Sequence, residues 1–542
     1  MGGVNGQPGT MGSGNGDACP VCGHRESTYL MNPHGLAYFA CDACALVRLS
    51  PRPTEDEIKK IYEGTTLDET TLAESTDTMA ERAKRYWHQL AQASGVERER
   101  SAILVLASEP RAILEAGREL GFKNIRSCPG AVESLEGTEP ASFDAALVVF
   151  AVERMPNPVA GLQRLHRLLK PEGVLLLVMP MLNSWPARFF RDAWTEFRPE
   201  NLFFFDTQNI QSTLAECGFH HVLLRPDRPR YTLHHIHYRA CMYPRTRLTR
   251  FIRRVLRPFP TDFMRRMRVR APSSAFMIVA RKNDLRPRKV LSIVMPVFNE
   301  QQTFRECFDK VLAKSIKGVD KEIIVVESNS TDGTRELVEA IHREEGVKVI
   351  LQDRPKGKGN AVRAGLQAVS GDIVMIQDAD LEYDVNDYDA LVHPILTHRS
   401  AFVLGSRHTG SWKMRQFNDQ KVSATFFNMG HTFFRGLLNL FYGQSLKDPF
   451  TMFKVFRADC LYGLAFQCDR FDFDFEIVIK LVRKGYTPLE VPVNYRARSF
   501  KEGKKVSALR DPWTWLWALV KYRFCKMDVL SGVERRRERG PA

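Results

Sequence analysis

Apolar and polar positions alternate in blocks along most of this chain. From Ser101 onward, apolar runs at Ile103 to Leu106, Phe143 to Phe150 and Val174 to Met179 are separated by helical patterns at Ala112 to Leu120 and Leu162 to Leu169. Short apolar strands alternating with helices predict a parallel sheet with crossover helices. The run Ala275 to Ala280 closes this first α/β domain, and residues 284–289 read as a polar linker. Beyond Lys289 the pattern resumes: strand Leu291 to Val297, helix from Glu300, strand Glu322 to Glu327, helix from Asp332, strand Val347 to Gln352, helix from Gly359 and strand Ile373 to Gln377. Ligands of such sheets bind beyond the carboxyl ends of the strands. The loops starting at Pro296, Ser328 and Asp378 are therefore expected to face one crevice.

Length and charge narrow the picture. With 542 residues, 44% of them hydrophobic, the chain has material for several cores, which excludes disorder, collagen and a single small domain. The formal charge of +15 fits a phosphate-rich partner: a nucleotide, a lipid phosphate, an anionic membrane face or nucleic acid. No apolar run reaches the roughly 18 residues of a membrane-spanning helix, and the N-terminus lacks a secretory layout, so a cytoplasmic protein is expected. Residues 1–17, rich in Gly, Asn and Ser, read as a disordered tail, and 527–542 as a charged one.

Four of the 11 cysteines, Cys19, Cys22, Cys41 and Cys44, form two C-x-x-C pairs. Each knuckle folds two thiolates onto one tetrahedral ion, so residues 18–50 read as a four-cysteine zinc-knuckle head. Four cysteines leave no open coordination position, which makes the zinc structural and not catalytic.

After this head come Ser50-Pro51-Arg52-Pro53, Ser142-Phe143-Asp144 and Leu169-Lys170-Pro171-Glu172-Gly173. In that order they resemble the zinc-headed S-adenosylmethionine-dependent methyltransferases, which implies a Rossmann-like domain over 51–283. Such enzymes need closely spaced glycines after the first strand, where side chains would collide with the cofactor. Here Ala107, Glu109 and Arg111 stand in those places, the ribose-holding acid is missing from Arg126-Ser127-Cys128-Pro129, and Glu153-Arg154 replaces a Glu-His pair. The expectation is a methyltransferase-like fold that no longer methylates, with S-adenosylmethionine not expected as cofactor.

In the second series the fourth strand is followed by Asp378-Ala379-Asp380. Two carboxylates flanking one residue at a strand end suit a divalent ion and leave positions open for a diphosphate, whose charge the ion offsets. The loop Pro296 to Glu300, Ser330-Thr331-Asp332-Gly333-Thr334, Gly357-Lys358-Gly359, Gly405-Ser406-Arg407, Asp448-Pro449 with Phe453-Lys454, and Glu490-Val491-Pro492-Val493 accompany it. The set resembles glycosyltransferase family 2, particularly its dolichyl-phosphate mannose synthase-like branch.

That resemblance implies a GT-A-type nucleotide-sugar-binding domain over 290–526 and an inverting displacement at the anomeric carbon. The donor would be held by Pro296, Asn299, Glu300, Glu327, Lys358 and Asp378, and Mg²⁺ or Mn²⁺ by Asp378, Asp380 and Glu382. Arg407, with Arg415, Arg498, Lys504 and Lys505, would bind donor and acceptor phosphates, a task suited to the guanidinium fork. A hydroxyl acceptor needs a general base, for which Asp448, Asp474 and Glu476 are candidates; a phosphate acceptor needs none. Asp474 reads equally as a surface carboxylate. The implied partners are a nucleotide-sugar and a lipid-phosphate or glycan acceptor, with no nucleic acid. A bifunctional glycosyltransferase/methyltransferase, or a scaffold whose first domain binds a partner, are the rival readings.

Three segments fit peripheral contact with the inner membrane face as well as they fit packing on their own domain: the Arg-rich amphipathic stretch 231–270, and the aromatic runs Phe426 to Tyr442 and Trp513 to Tyr522.

Overall fold

The computed structural model describes residues 18–51, 54, 69–129, 137–242, 247–271, 273–283, 289–397, 399–407, 421–496 and 511–525. The two tails, residues 284–288 of the linker, and Arg415, Arg498, Lys504 and Lys505 lie outside them. The chain forms two compact units that divide between Asp284 and Leu285.

In the first unit, strands Ser27–Met31, Tyr38–Cys41 and Val47–Leu49 form an antiparallel sheet whose fourth strand, Phe203–Phe204, comes from far downstream. Cys19, Cys41 and Leu46 are buried in one core with Leu104, Leu106, Met179 and Met181. The 18–50 head is therefore built into the domain that follows it, because so short a segment buries too little apolar surface alone.

The main sheet has the order Ile125–Pro129, Ile103–Ala107, Phe143–Val149, Leu169–Pro180, Ala275–Lys282, Phe219–Pro226. The first four strands are parallel, and Ala275–Lys282 runs antiparallel to both its neighbours. Helix Pro158–Leu168 starts where Asn157 accepts from the Ala160 amide at 3.1 Å with proline in its first turn. The long helix Glu69–Ser94 buries Tyr86, Trp87 and Leu90 against this sheet, and Trp87 Nε1 donates to the Ile113 carbonyl at 2.7 Å.

The second unit has seven strands in the order Val347–Leu351, Val319–Glu327, Lys289–Val297, Ile373–Ile376, Lys454–Arg457, Phe402–Ser406, Leu489–Pro492. Lys454–Arg457 alone is antiparallel to its neighbours. Residues Leu291 to Val297 and Ile323 to Glu327 are almost all buried, as expected of strands covered on both faces. Two helices begin later than their sequence pattern suggests. Glu300 accepts from the Thr303 hydroxyl in a turn that delays the first to Phe304–Ala313, and Gly333, at φ +93°, delays the second to Thr334–Ala340.

Candidate active site

Register alignment of strands Lys289–Val297, Val319–Glu327 and Ile373–Ile376 brings their carboxyl-terminal loops together. Asn299, in the left-handed region at φ +50°, receives the Thr331 amide on Oδ1 at 2.9 Å and gives its own amide to Ser330 Oγ at 2.9 Å. The Glu300 amide donates to Thr334 Oγ1 at 2.9 Å. Asn299 and Glu300 thus hold the first loop against the second, and Pro296, partly exposed, is the penultimate residue of the strand Lys289–Val297 beneath them.

Glu327 departs from its expected place in the donor pocket. It is fully buried, and its carboxylate accepts from the amides of Asn329 at 3.0 Å and Ser330 at 2.6 Å and from Arg335 at 3.2 Å. Those bonds consume it in shaping its own loop, so it reaches a ligand only through that loop.

Lys358 opens helix Lys358–Gln367. Its two flanking glycines are required by close packing: a Cβ on Gly357 would lie 2.4 Å from the Asp469 carbonyl, and one on Gly359 2.7 Å from the Cys468 carbonyl. Lys358 Nζ donates to Asp378 Oδ2 at 2.6 Å. Nearby, Asp474 lies in the first turn of helix Phe473–Lys484 and accepts from the buried Lys454 at 2.8 Å. Burial pushes the Asp378 carboxyl up from its ordinary value against the pull of Lys358, and the Asp474 and Glu382 carboxylates push the same way. Burial would lower the Lys358 ammonium, but Asp378 and Asp474 hold it above its ordinary value.

Asp380 Oδ1 accepts from the Glu382 amide at 3.1 Å, and Glu382 Oε2 accepts from the Tyr495 hydroxyl at 2.8 Å. All three acids of the motif offer hard oxygen donors at one strand end, which suits Mg²⁺ or Mn²⁺. Among the described residues, however, the four cysteines are the one group of three or more whose ligand atoms all lie within 4.8 Å of one another. Cys19 and Cys44 sulfurs lie 3.6 Å apart and those of Cys22 and Cys41 3.5 Å, close to the roughly 3.8 Å edge of a zinc-thiolate tetrahedron.

Two of the three candidate bases are committed elsewhere. Asp448 is fully buried and accepts from the Arg407 amide at 3.0 Å, Nε at 2.7 Å and a terminal nitrogen at 2.8 Å, and it lies 3.3 Å from His431 Nε2. Burial alone would raise its carboxyl, but Arg407 and His431 outweigh that and hold it well below the usual carboxylate range. Glu476, also fully buried, accepts from the Gln467 amide at 2.9 Å and the Cys468 amide at 2.7 Å and pairs with Lys480. An ionised carboxylate so saturated with donors is a poor proton acceptor. That weighs against Asp448 and Glu476 as bases; Asp474, the third candidate, accepts from Lys454 alone among the described side chains. Arg407, likewise, is buried with its fork filled by Asp448 and its guanidinium over the Tyr495 ring, 5.1 Å from the centroid.

Lys454, Tyr495 and Glu490 were not singled out as site residues from sequence. Glu490 accepts the amides of Lys447 at 2.9 Å and Asp448 at 2.6 Å. The available signal for Lys454 was its place in the Phe453-Lys454 motif, at the head of the short strand Lys454–Arg457. Beside the acidic motif lies a cavity of about 1220 Å³ lined by Lys310, Lys314, Glu382, Arg407, Tyr495 and Arg496 among others.

In the first unit, only Ser108 and Glu109 separate strand Ile103–Ala107 from helix Pro110–Glu119, and the Ser108 amide is bonded to the Val149 carbonyl at 3.3 Å. Arg111, expected to crowd a cofactor, points into solvent and pairs with Glu115 at 3.0 Å. Glu153 is fully buried, and its Oε2 lacks a hydrogen-bond partner among the described residues.

Of the two aromatic segments, helix Lys421–Tyr442 and helix Asp511–Phe524 each divide their side chains. Phe434 and Trp515 stack inward with Phe475, while Phe433, Leu440, Trp513, Trp517 and Phe524 stand exposed. No described helix is long and apolar enough to cross a membrane.

Comparison with known proteins agrees with this division of the chain. Residues 292–462 match the family model of glycosyl transferase family 2, and residues 90–177 match that of a methyltransferase domain. The chain therefore carries a family 2 glycosyltransferase domain preceded by a methyltransferase-type domain. Over 216 residues it is 27% identical to the dolichol-phosphate mannosyltransferase of Pyrococcus furiosus, covering 40% of this chain and 58% of that one. It is also 24% identical over 225 residues to the undecaprenyl-phosphate 4-deoxy-4-formamido-L-arabinose transferase of Edwardsiella ictaluri, covering 41% of this chain and 65% of the relative. The chain thus spans under two thirds of the length of either relative. Among solved structures, glucosyl-3-phosphoglycerate synthase from Mycobacterium tuberculosis, in complex with Mn²⁺, uridine-diphosphate-glucose and phosphoglyceric acid, aligns at 21% identity and a TM-score of 0.33, over 44% of this chain and 81% of that one.

Proposed function

We propose that the second unit is a metal-dependent, inverting glycosyltransferase that moves a sugar from a nucleotide-sugar to a polyprenyl-phosphate or glycan acceptor. The observation that carries this reading is the cluster of the partly buried Lys358 and Asp378 with the buried Asp474 and Lys454 at the carboxyl ends of the strands. Its charges are fixed before a substrate arrives, as electrostatic stabilisation of a departing diphosphate requires. Asp378 and Asp380, with Glu382 beside them, would hold Mg²⁺ or Mn²⁺, which supplies charge for the leaving nucleoside diphosphate. Lys358 then sits where it both positions Asp378 and meets diphosphate oxygens. Asp474 is the remaining base for a hydroxyl acceptor; a phosphate acceptor attacks unaided.

The cavity beside Glu382 brings Lys310, Lys314 and Arg496 around one space together with Glu382 and Asp384, and its three basic groups would meet an anionic acceptor. Two relatives are named for polyprenyl-phosphate chemistry, which favours a lipid-linked acceptor. The exposed Trp513, Trp517 and Phe524 face would lie in the interface where such an acceptor is found.

The methyltransferase-type domain is read as inactive, because a two-residue turn whose Ser108 amide is already bonded offers no cradle for a nucleotide-like cofactor. The deciding experiment is release of nucleoside diphosphate from a panel of nucleotide-sugars, with polyprenyl phosphate present or absent and with or without chelator. Release that needs neither metal nor acceptor, or none from any donor, refutes the reading. Calorimetric titration with S-adenosylmethionine tests the first unit: a dissociation constant in the low micromolar range, on the order of −8 kcal/mol, refutes the claim of inactivity.

A further inference from the structure

We infer that residues 230–270 of the first unit form a docking surface for an anionic lipid bilayer. Strands Arg230–Thr232 and Arg268–Arg270 pair antiparallel and clip this insertion at its base, between two strands of the main sheet. Three helices, Leu233–Met242, Arg247–Leu256 and Thr261–Arg266, fill it. Thr249 and Met264 are buried and anchor the second and third helices inward.

The outward side is not the polar surface that a solvated helix would present. Phe251 is 63% exposed and Val255 45%, four residues apart and so on one stripe of the helix. Phe259 and Phe263 stack at 5.5 Å between ring centroids and are 42% and 44% exposed. Arg250, Arg254 and Arg257 make a second stripe directly beside the first, and Arg253 and Arg266 are exposed as well. Between Arg245 and Arg270 there are ten arginines and a single carboxylate, Asp262.

This combination selects its partner. Arginine forks pair bidentately with phosphate oxygens, and adjacent aromatic rings enter the boundary between headgroups and acyl chains. A nucleic acid would satisfy the arginines and leave four apolar side chains in water. An anionic bilayer takes both at once. The inference does not depend on what the second unit transfers.

The test is flotation of the full-length chain with vesicles of phosphatidylcholine alone or mixed with phosphatidylglycerol. Binding to the mixed vesicles is expected to be at least about tenfold tighter and to weaken with salt. The double variant Arg250→Glu with Arg254→Glu, and separately Phe251→Ser with Phe263→Ser, should each lose about tenfold or more, whereas Arg250→Lys with Arg254→Lys should keep most of the binding. All substituted side chains are exposed, so thermal unfolding midpoints should match the wild type and certify the fold. Wild-type affinity in the charge-reversed variant overturns the inference. So does loss of binding only when Trp513 and Trp517 are replaced by serine, or binding of duplex DNA or an acidic polypeptide in preference to the vesicles.

Discussion

Lys358 Nζ lies 2.6 Å from Asp378 Oδ2, joining the first turn of a helix to the end of a strand 20 residues further on. Asp378 is partly buried and feels the Asp474 and Glu382 carboxylates, and Lys358 is the cation paired with it before a metal binds. Replacing it by methionine leaves the acid without that partner while keeping the stem. Lys358→Met should lower kcat/KM for the donor by about 100-fold, the scale of a single preorganised electrostatic contact. Steady-state kinetics across a range of Mg²⁺ concentrations measure this; an unchanged kcat/KM would remove Lys358 from the donor site.

Asp380→Asn replaces a charged oxygen ligand with a neutral amide, a poorer ligand for a hard cation. Sugar transfer should fall to background while the unfolding midpoint stays near wild type, since Asp380 is only partly buried. Turnover above about a tenth of wild type would count decisively against a metal at this position.

How far the sequence revealed these arrangements depends on the range of the interaction. The alternating strands and helices from Ile103 to Met179 and from Leu291 to Gln377 followed from period and length, because each element's apolar face is a local property, whereas strands Phe219–Pro226, Phe402–Ser406, Lys454–Arg457 and Leu489–Pro492 did not. The Asp378-Ala379-Asp380 motif and the two C-x-x-C pairs were equally legible, since their chemistry lies within a few residues. The pairings of Glu327, Asp448 and Glu476 with Arg335, Arg407 and Lys480 are not legible in the sequence, because no spacing rule distinguishes a paired carboxylate from a working one. The fourth strand of the knuckle sheet, Phe203–Phe204, is separated from the cysteines by most of a domain. It becomes visible only when the chain is folded.

Arg407 and Asp448 form a buried bidentate pair. Arg407→Leu would strand the Asp448 charge without its main partner, a change that typically costs about 3–5 kcal/mol. Chemical denaturation should report that loss, and Arg407→Lys, which restores charge but not the fork, should recover part of it. A leucine variant as stable as wild type would mean that His431 and the backbone suffice to hold Asp448.

Cys19, Cys22, Cys41 and Cys44 should bind one zinc ion per chain. Cys19 and Cys41 share a core with the main sheet of the first unit, so chelation should lower that unit's unfolding midpoint and not merely fray the N-terminus. Metal analysis of the purified protein is the direct measurement. Absence of zinc, or a midpoint indifferent to chelator, would refute the assignment.

Glu153 gives the first unit a stability that depends on pH. Burial pushes its carboxyl up to about 8, with Glu196 adding to the shift and Arg154 opposing it. One oxygen has no described partner, so ionisation inside the fold meets no compensating donor there. An acid held above its unfolded value is protonated in both states below about pH 4.3, and the stability present there is lost as pH rises through 8. The loss should amount to at most about 5 kcal/mol, and it should be spread between roughly pH 4 and pH 8. Glu153→Gln keeps the shape and cannot ionise, so its unfolding free energy should stay flat over that window relative to wild type. Parallel pH profiles for the two proteins would show that Glu153 is ionised in the native state and that its pocket holds a cation or water to meet the charge.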